Sequence, residues 1–103
     1  MIARSWRGAV KPEDAEAYAA YIDDTGMREY AETPGNIGAY MLTREVGELT
    51  EIVTFSVWES IDAIKAFAGE DYETAVFYPE DDRYLVERDL QCTHWEVVRT
   101  ASG

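Results

Sequence analysis

Two side chains of this sequence have the chemistry that a catalytic group requires. His94 is the single histidine, and an imidazole exchanges protons near neutral pH without any special environment. Trp58 ends a predicted strand, where its indole N–H could donate a hydrogen bond to a bound oxyanion. We therefore assign His94 as the candidate general base and Trp58 as the candidate oxyanion donor. The alternatives are a structural or solvent-facing histidine and a tryptophan that only packs in the core.

Aromatic side chains from the first strand and from both predicted helical regions offer the walls of a ligand pocket. The candidates for substrate binding are Trp6, Tyr18, Phe67, Tyr72 and Phe77. Tyr72 also offers a hydroxyl group at the mouth of such a pocket. Aromatic residues at helical spacing more commonly form a core, so packing is the other interpretation of this set.

Motifs for metal, phosphate or disulfide chemistry are missing from the sequence. One histidine and one cysteine, Cys92, cannot form a closed zinc site or an internal disulfide. The six acidic residues between positions 70 and 82 do not have EF-hand spacing, so we expect a solvated lid there. No glycine-rich phosphate loop or serine-centred nucleophile elbow is present. The sequence therefore predicts no metal site and no cofactor.

The acidic composition limits the partners that the protein can bind. The chain has 21 Asp and Glu against nine Lys and Arg, a net charge of −12. This charge repels nucleic acid and anionic membrane surfaces, and it favours solubility. No stretch approaches the roughly 20 apolar residues of a membrane span, and the first residues, MIARSW, are typical of a strand rather than of a signal peptide. We therefore expect a cytoplasmic protein.

The alternation of apolar and polar residues predicts a β-α-β-β-α-β order. The first strand, Ile2–Val10, precedes a helix that begins at Pro12. That helix ends near Ile22, or it continues, bent at Gly26, to about Glu32. The other predicted elements are strands at 37–46 and 50–58 around a Gly47-Glu48 hairpin, a helix at 61–68 between Ser60 and Gly69, a further helical turn at 72–78, and a last strand at 92–100. Segment 80–90 has no assignment.

This order is typical of the ferredoxin-like α+β fold, which has one antiparallel sheet with helices on one face. The third strand carries large apolar groups on both sides, Val53, Phe55 and Val57 on one and Ile52 and Trp58 on the other. Because helices cover only one face, the second apolar face needs another sheet, most simply from a second copy of the chain. We therefore predict a single domain, residues 1–103, that forms a homodimer.

Three segments of the sequence resemble the antibiotic biosynthesis monooxygenase (ABM) family: IARSWRG at 2–8, TPGNIGAY at 33–40, and VWES at 57–60 leading into a helix. The resemblance spans nearly the whole chain and implies a dimeric α+β barrel. It also implies one of several activities. Some members oxidise polycyclic aromatic phenols with molecular oxygen and no cofactor, others bind and cleave haem, and many have no assigned function.

The residues at the family's haem positions favour the cofactor-free chemistry. The haem-degrading branch uses an asparagine on the first strand, a tryptophan on the second helix and a histidine ten residues later. By resemblance these places fall on or beside Trp6, on Phe67 and on Phe77, and a phenylalanine cannot ligate iron. We therefore expect a cofactor-independent monooxygenase that oxidises a small aromatic phenol or quinol. The alternative is a non-catalytic module that binds a small ligand on the same barrel.

Overall fold

Five antiparallel strands form one sheet in this computed structural model, which describes residues 1–102. Strands β1 (Ile2–Val10), β2 (Asn36–Val46) and β3 (Leu49–Trp58) lie in the order β2-β3-β1. Two short strands, β4 (Leu85–Arg88) and β5 (Thr93–Glu96), share the remaining edge of β1. The ferredoxin-like α+β fold that the sequence predicts is confirmed.

The single last strand predicted at 92–100 is wrong in its bounds. β4 pairs with residues 8–10 of β1, and β5 pairs with residues 2–5. Between them the chain leaves the edge, where the indole N–H of Trp6 donates to the carbonyl of Asp89 at 2.8 Å. The unassigned segment 80–90 contains β4 and a short helix, α4 (Asp81–Tyr84).

Residues 69–80 form a strap over the helix side of the sheet, and the helical turn predicted at 72–78 is wrong. The backbone of the strap pairs with residues that are distant in sequence rather than with its own next turn. The Ala75 N–H donates to the Leu90 carbonyl at 2.9 Å, and the Cys92 N–H donates to the Glu73 carbonyl at 2.7 Å. These bonds satisfy backbone groups that a helix would otherwise satisfy locally.

The first helical region continues past Gly26, as one of the two sequence interpretations has it. Helix α1 (Ala15–Ile22) leads through a π-helical turn (Asp23–Met27) into α2 (Arg28–Glu32). Tyr18, Ile22, Gly26 and Tyr30 are spaced by four residues and are all buried. Because a π turn holds more residues than an α turn, residues with this spacing stay on the face that covers the sheet. None of the helices in residues 1–102 is long and apolar enough to cross a membrane.

The local signals for the hairpin and the second helix are confirmed. Gly47, with φ of +60°, turns the chain between β2 and β3. The Ser60 side chain accepts a hydrogen bond from the Ala63 N–H at 3.2 Å, and helix α3 (Ile61–Ala68) begins there. It ends at Gly69, whose φ is +89°.

The sheet has two different faces. On the helix face, Trp58 and Ile64 are fully buried and pack with Tyr30. The opposite, open face carries Val53, Phe55 and Val57 of β3, which are half-buried, together with the more exposed Tyr40, Leu42 and Trp95. The prediction that β3 is apolar on both sides is confirmed.

We expect Trp58→Ala to lower the free energy of unfolding by about 3–5 kcal/mol, since it empties a fully buried site. Trp58→Phe should lower it far less, because a phenyl ring keeps most of the aromatic contacts, while the hydrogen bond to Ser56 and part of the ring volume are lost. Urea denaturation measures both values. Val98→Ala, at a position 72% exposed, is the control and should change stability by less than about 0.5 kcal/mol. A loss below about 1 kcal/mol in Trp58→Ala would contradict the core assignment.

Candidate functional site

A cavity lies between the helix face of the sheet, the helices and the strap. Its volume is about 30 Å³, which is enough for about one or two water molecules. Its walls come from every layer of the domain and are mostly aromatic or aliphatic. The lining residues are Arg4, Trp6, Tyr18, Ile22, Gly26, Tyr30, Thr54, Phe67, Val76, Tyr78, Asp81 and Cys92.

Arg4 is the charged group of β1 that points into this cavity. Its side chain is 2% exposed. One terminal nitrogen donates to the Tyr72 carbonyl at 2.5 Å, and the guanidinium lies 5.9 Å from the centre of the Phe67 ring. No carboxylate of residues 1–102 lies within 4.0 Å of the Arg4 guanidinium, which is the distance limit of an ion pair. A guanidinium inside an apolar wall without an acidic partner is unusual, because buried charges are normally paired.

His94 lies beside Arg4 rather than in the cavity wall. Its Nε2 is 3.0 Å from the same terminal nitrogen of Arg4. Because a guanidinium has only donors, Nε2 must accept this bond, so the imidazole is neutral with its proton on Nδ1. Burial and then the charge of Arg4 lower the pKa of His94, against a smaller opposite effect of Glu73. The ring also packs edge-on against Tyr72, with centroids 5.1 Å apart.

Asp81 places a buried carboxylate at the other side of the cavity. Its side chain is 2% exposed and accepts from the Tyr18 hydroxyl at 3.1 Å and from the Tyr78 N–H at 2.7 Å. Burial, followed by the charge of Asp81, raises the pKa of Tyr18, so that phenol stays a donor. The expectation of a solvated acidic lid is wrong for this residue, because the start of α4 folds inward onto α1.

The predicted site residues divide into two groups. Trp6, Tyr18 and Phe67 line the cavity, whereas Trp58, Tyr72, Phe77 and His94 do not. The indole N–H of Trp58 donates to Ser56 Oγ at 2.9 Å, behind the ring of Phe67. Phe77 packs edge-on against Trp6 and beneath the guanidinium of Arg88. The roles assigned to these residues stay predictions.

Sequence reasoning missed the polar groups that face the cavity. Arg4 could have been found, because it is two residues from Trp6 in a strand and therefore shares its face. Asp81 carries no such signal, because its partner Tyr18 is 63 residues away. Cys92, at the end of the segment that pairs with the strap, also lines the cavity, and burial raises the pKa of its thiol.

The end of the strap is fastened to α1 and α2 by two polar contacts. The Tyr78 hydroxyl hydrogen-bonds to a carboxylate oxygen of Glu29 in α2. The Glu80 N–H donates to the Tyr21 hydroxyl of α1 at 3.0 Å. Both contacts lie at the surface, where water competes with them. This end of the strap is therefore held to the helices by contacts that water can replace.

The sequence matches the model of a known protein family. Residues 1–76 match the model of the antibiotic biosynthesis monooxygenase family, and the chain belongs to this family. Asp81, Cys92 and His94 lie beyond the matched part. No curated protein matches the sequence significantly.

Solved structures of this class share the fold. A protein from Bacillus cereus, described as a candidate antibiotic biosynthesis monooxygenase, superposes with a TM-score of 0.71 at 18% identity, over 100% of this chain and 96% of its own. SnoaB from Streptomyces nogalater, a cofactor-independent oxygenase, gives 0.62 at 18% identity, over 96% and 94%. The haem-degrading protein Rv3592 from Mycobacterium tuberculosis gives 0.53 at 22% identity, over 99% and 100%.

The cavity does not fit haem. Phe67 and Phe77 offer no ligand to iron. The only histidine of the chain, His94, has its Nε2 engaged by Arg4. Within residues 1–102, no three His, Cys, Asp or Glu side chains are grouped so that they could hold a metal ion.

We expect the protein not to degrade hemin. Incubation with hemin and a reductant, followed by absorption spectroscopy, should leave the Soret band unchanged relative to hemin without protein. The reason is that the side chains of the site offer no ligand to the iron of a porphyrin. Loss of the band together with release of free iron would refute this reading of the site.

Proposed function

We propose that the protein is a cofactor-independent oxygenase for a small aromatic phenol or quinol. The observation that carries the proposal is the cavity, in which aromatic walls enclose two buried ionisable groups, Arg4 and Asp81. Membership of the ABM family and the fold likeness to the cofactor-independent oxygenase SnoaB support it. Such chemistry requires a shaped apolar site, a proton acceptor and exclusion of water.

The substrate itself supplies the electrons. A base removes the phenol proton, and the electron-rich anion bonds one oxygen atom of O₂ at a ring carbon. That carbon then loses its hydrogen as the O–O bond breaks, so one oxygen atom stays as a carbonyl and the other leaves as water. A phenol C–H and O₂ thus become a quinone and H₂O, with no external reductant. The protein has to generate the anion and keep bulk water away.

His94 is the proposed base, and Asp81 is the second candidate. His94 is neutral and therefore able to accept a proton, but Arg4 has to release Nε2 first. Asp81 lines the cavity directly and keeps free lone pairs beside its two hydrogen bonds. The roles of Trp6, Tyr18 and Phe67 are to contact the aromatic ring, and Tyr72 shapes the edge near His94.

The cavity has to enlarge before an aromatic ring can enter. Val76 and Tyr78 belong to the strap, which contains no helix and pairs with the rest of the chain mainly through residues 72–75. Moving residues 76–80 outward breaks the surface contacts of Tyr78 and Glu80 and the hydrogen bond from the Tyr78 N–H to Asp81, but leaves the pairing of residues 73–75 and the sheet in place. Segments with few buried contacts are the ones that open at low free energy.

We expect the pure protein, free of metal and flavin, to consume oxygen with an electron-rich naphthol, anthrol or hydroquinone. The rate should rise with pH through the pKa of the base. Since burial and Arg4 lower the pKa of His94, the midpoint should lie below the ordinary value of 6.5. In His94→Gln this rise should vanish while binding persists.

An oxygen electrode measures the rates, and Asp81→Asn is the comparison. A pH profile unchanged in His94→Gln and lost in Asp81→Asn would transfer the role to Asp81.

A non-catalytic binding module is the alternative function. The position of His94 favours it, because the proposed base does not line the cavity and its Nε2 accepts a hydrogen bond from Arg4. A panel of phenols that bind without any oxygen consumption would identify the module. Measurable turnover by any member of the panel would exclude it.

We also propose that the open face is the surface of a homodimer. Its exposed apolar residues, Tyr40, Leu42 and Trp95, form a patch with the half-buried Phe55, and large apolar patches indicate interfaces. Arg7 and Arg44 each contact Glu51 at 2.6 Å beside this patch. An obligate dimer buries on the order of 2,000 Å² or more.

Sedimentation equilibrium at micromolar concentration should give twice 11.7 kDa. Leu42→Lys should shift the protein toward the monomer, because it places a charge in the apolar patch that the proposed dimer buries. Val98→Lys, which lies outside the strands, is the matched control and should remain dimeric. A monomeric wild-type protein would rule out the barrel assembly.

A further inference from the structure

Arg4 has a hydrogen-bonding capacity that the chain itself does not use. Its Nε is buried, and it is the one buried side-chain nitrogen or oxygen without a hydrogen-bond partner in residues 1–102. Its hydrogen bonds go to the Tyr72 carbonyl and His94 Nε2, both of them neutral acceptors. Tyr30 also faces Arg4, and its phenol is neutral because burial raises its pKa. A guanidinium can only donate. What the site lacks is therefore an acceptor, and an anionic acceptor would also balance the charge.

We propose that Arg4 is the binding residue for an anionic oxygen, and that the ligand of the cavity is a planar aromatic acid that binds as its phenolate or carboxylate anion. This inference rests on the proposed function, because it concerns the same cavity and names the chemical class of its ligand.

The surroundings of Arg4 define the rest of the ligand. The rings of Trp6, Tyr30 and Phe67 line the same cavity, and they accept the flat face or edge of an aromatic body. Phe67 also lies 5.9 Å from the guanidinium, so a ring bound beside it is within reach of the Nε–H. An aliphatic anion would match the charge of Arg4 but not these walls.

None of the other titratable groups that face Arg4 is a cation, so Arg4 is the only cation in the cavity wall. His94 is neutral where it accepts from Arg4. Burial raises the pKa of Tyr30 and of Cys92, so the phenol and the thiol are uncharged at neutral pH. Asp81 is the single carboxylate of the lining, and the Tyr18 hydroxyl and the Tyr78 N–H already hydrogen-bond to it. The ligand oxygen is therefore expected at the Arg4 side of the cavity and away from Asp81.

The probe for this site is 4-nitrophenol, because its anion absorbs visible light and the neutral phenol does not. A cation beside the bound oxygen favours the anion. The pKa of 4-nitrophenol should therefore fall by about one unit or more on binding, which is about a tenfold preference for the anion. 4-Nitrobenzoate tests the carboxylate form of the ligand, and 4-nitroanisole, which has no ionisable oxygen, reports binding of the ring alone.

Arg4→Met removes the charge and the donors while keeping a buried side chain of similar length. It should weaken binding of the anionic probes about tenfold or more and change 4-nitroanisole binding by less than about twofold. Arg4→Lys, which keeps the charge but lacks the planar fork, should give an intermediate loss. Arg99→Met removes one positive charge outside the strands and should match the wild type. Circular dichroism confirms that each variant is folded.

The outcomes separate this inference from the proposed function. A probe pKa that is unchanged or raised on binding to the wild-type protein would overturn the anion site, whatever the variants do. Equal anion binding by folded Arg4→Met would overturn it as well. Anion binding that depends on Arg4, without oxygen consumption by any phenol, would sustain the site and refute the oxygenase. Turnover that is unaffected in Arg4→Met would sustain the oxygenase and refute the site.

Discussion

A guanidinium enclosed among aromatic rings, without a carboxylate, sets the physical problem that this domain has to solve. Leaving a buried donor unsatisfied costs about 1–3 kcal/mol, and more when the group is charged. Arg4 is 2% exposed and offsets part of this loss through the Tyr72 carbonyl and His94 Nε2. The Tyr72 carbonyl belongs to the strap, which is a wall of the cavity, and His94 belongs to β5. Arg4 therefore links the strap to the sheet, and its charge adds to the effect of burial in lowering the pKa of His94.

The two faces of the sheet carry different features. The helix face holds the fully buried Trp58 and, next to it, the cavity with Arg4 and Asp81. The open face carries the apolar patch and the ion pairs of Glu51, whose pKa is lowered by its hydrogen bonds to Arg44 and Arg7. Because successive residues of a strand point to opposite sides, the side chains of Arg4 and Arg7 lie on different faces of the sheet.

The sequence predicts those parts of the molecule that local signals determine. Gly47 of the β2–β3 hairpin and Ser60 before α3 predict these elements correctly, because turn and cap preferences act within a few residues. The sequence predicts a helical turn in the strap, which is wrong because the strap pairs with residues 90–92, and such distant pairing overrides local preference. The predicted solvation of Asp81 is wrong for the same reason. Trp6, Tyr18 and Phe67 line the cavity, while their role in binding stays a prediction, and no pattern in the sequence shows that Arg4 lacks an acidic partner.

The central claim, that Arg4 holds an anionic oxygen in this cavity, is tested most directly by NMR of the arginine Nε–H groups. In protein labelled with ¹⁵N, the Arg4 signal is assigned by its loss in Arg4→Met. Addition of 4-nitrobenzoate should move this signal downfield and slow its exchange with water, because the free donor gains a charged acceptor. The signal of Arg99 should stay in place. An Arg4 signal that does not move while the ligand binds would contradict the account.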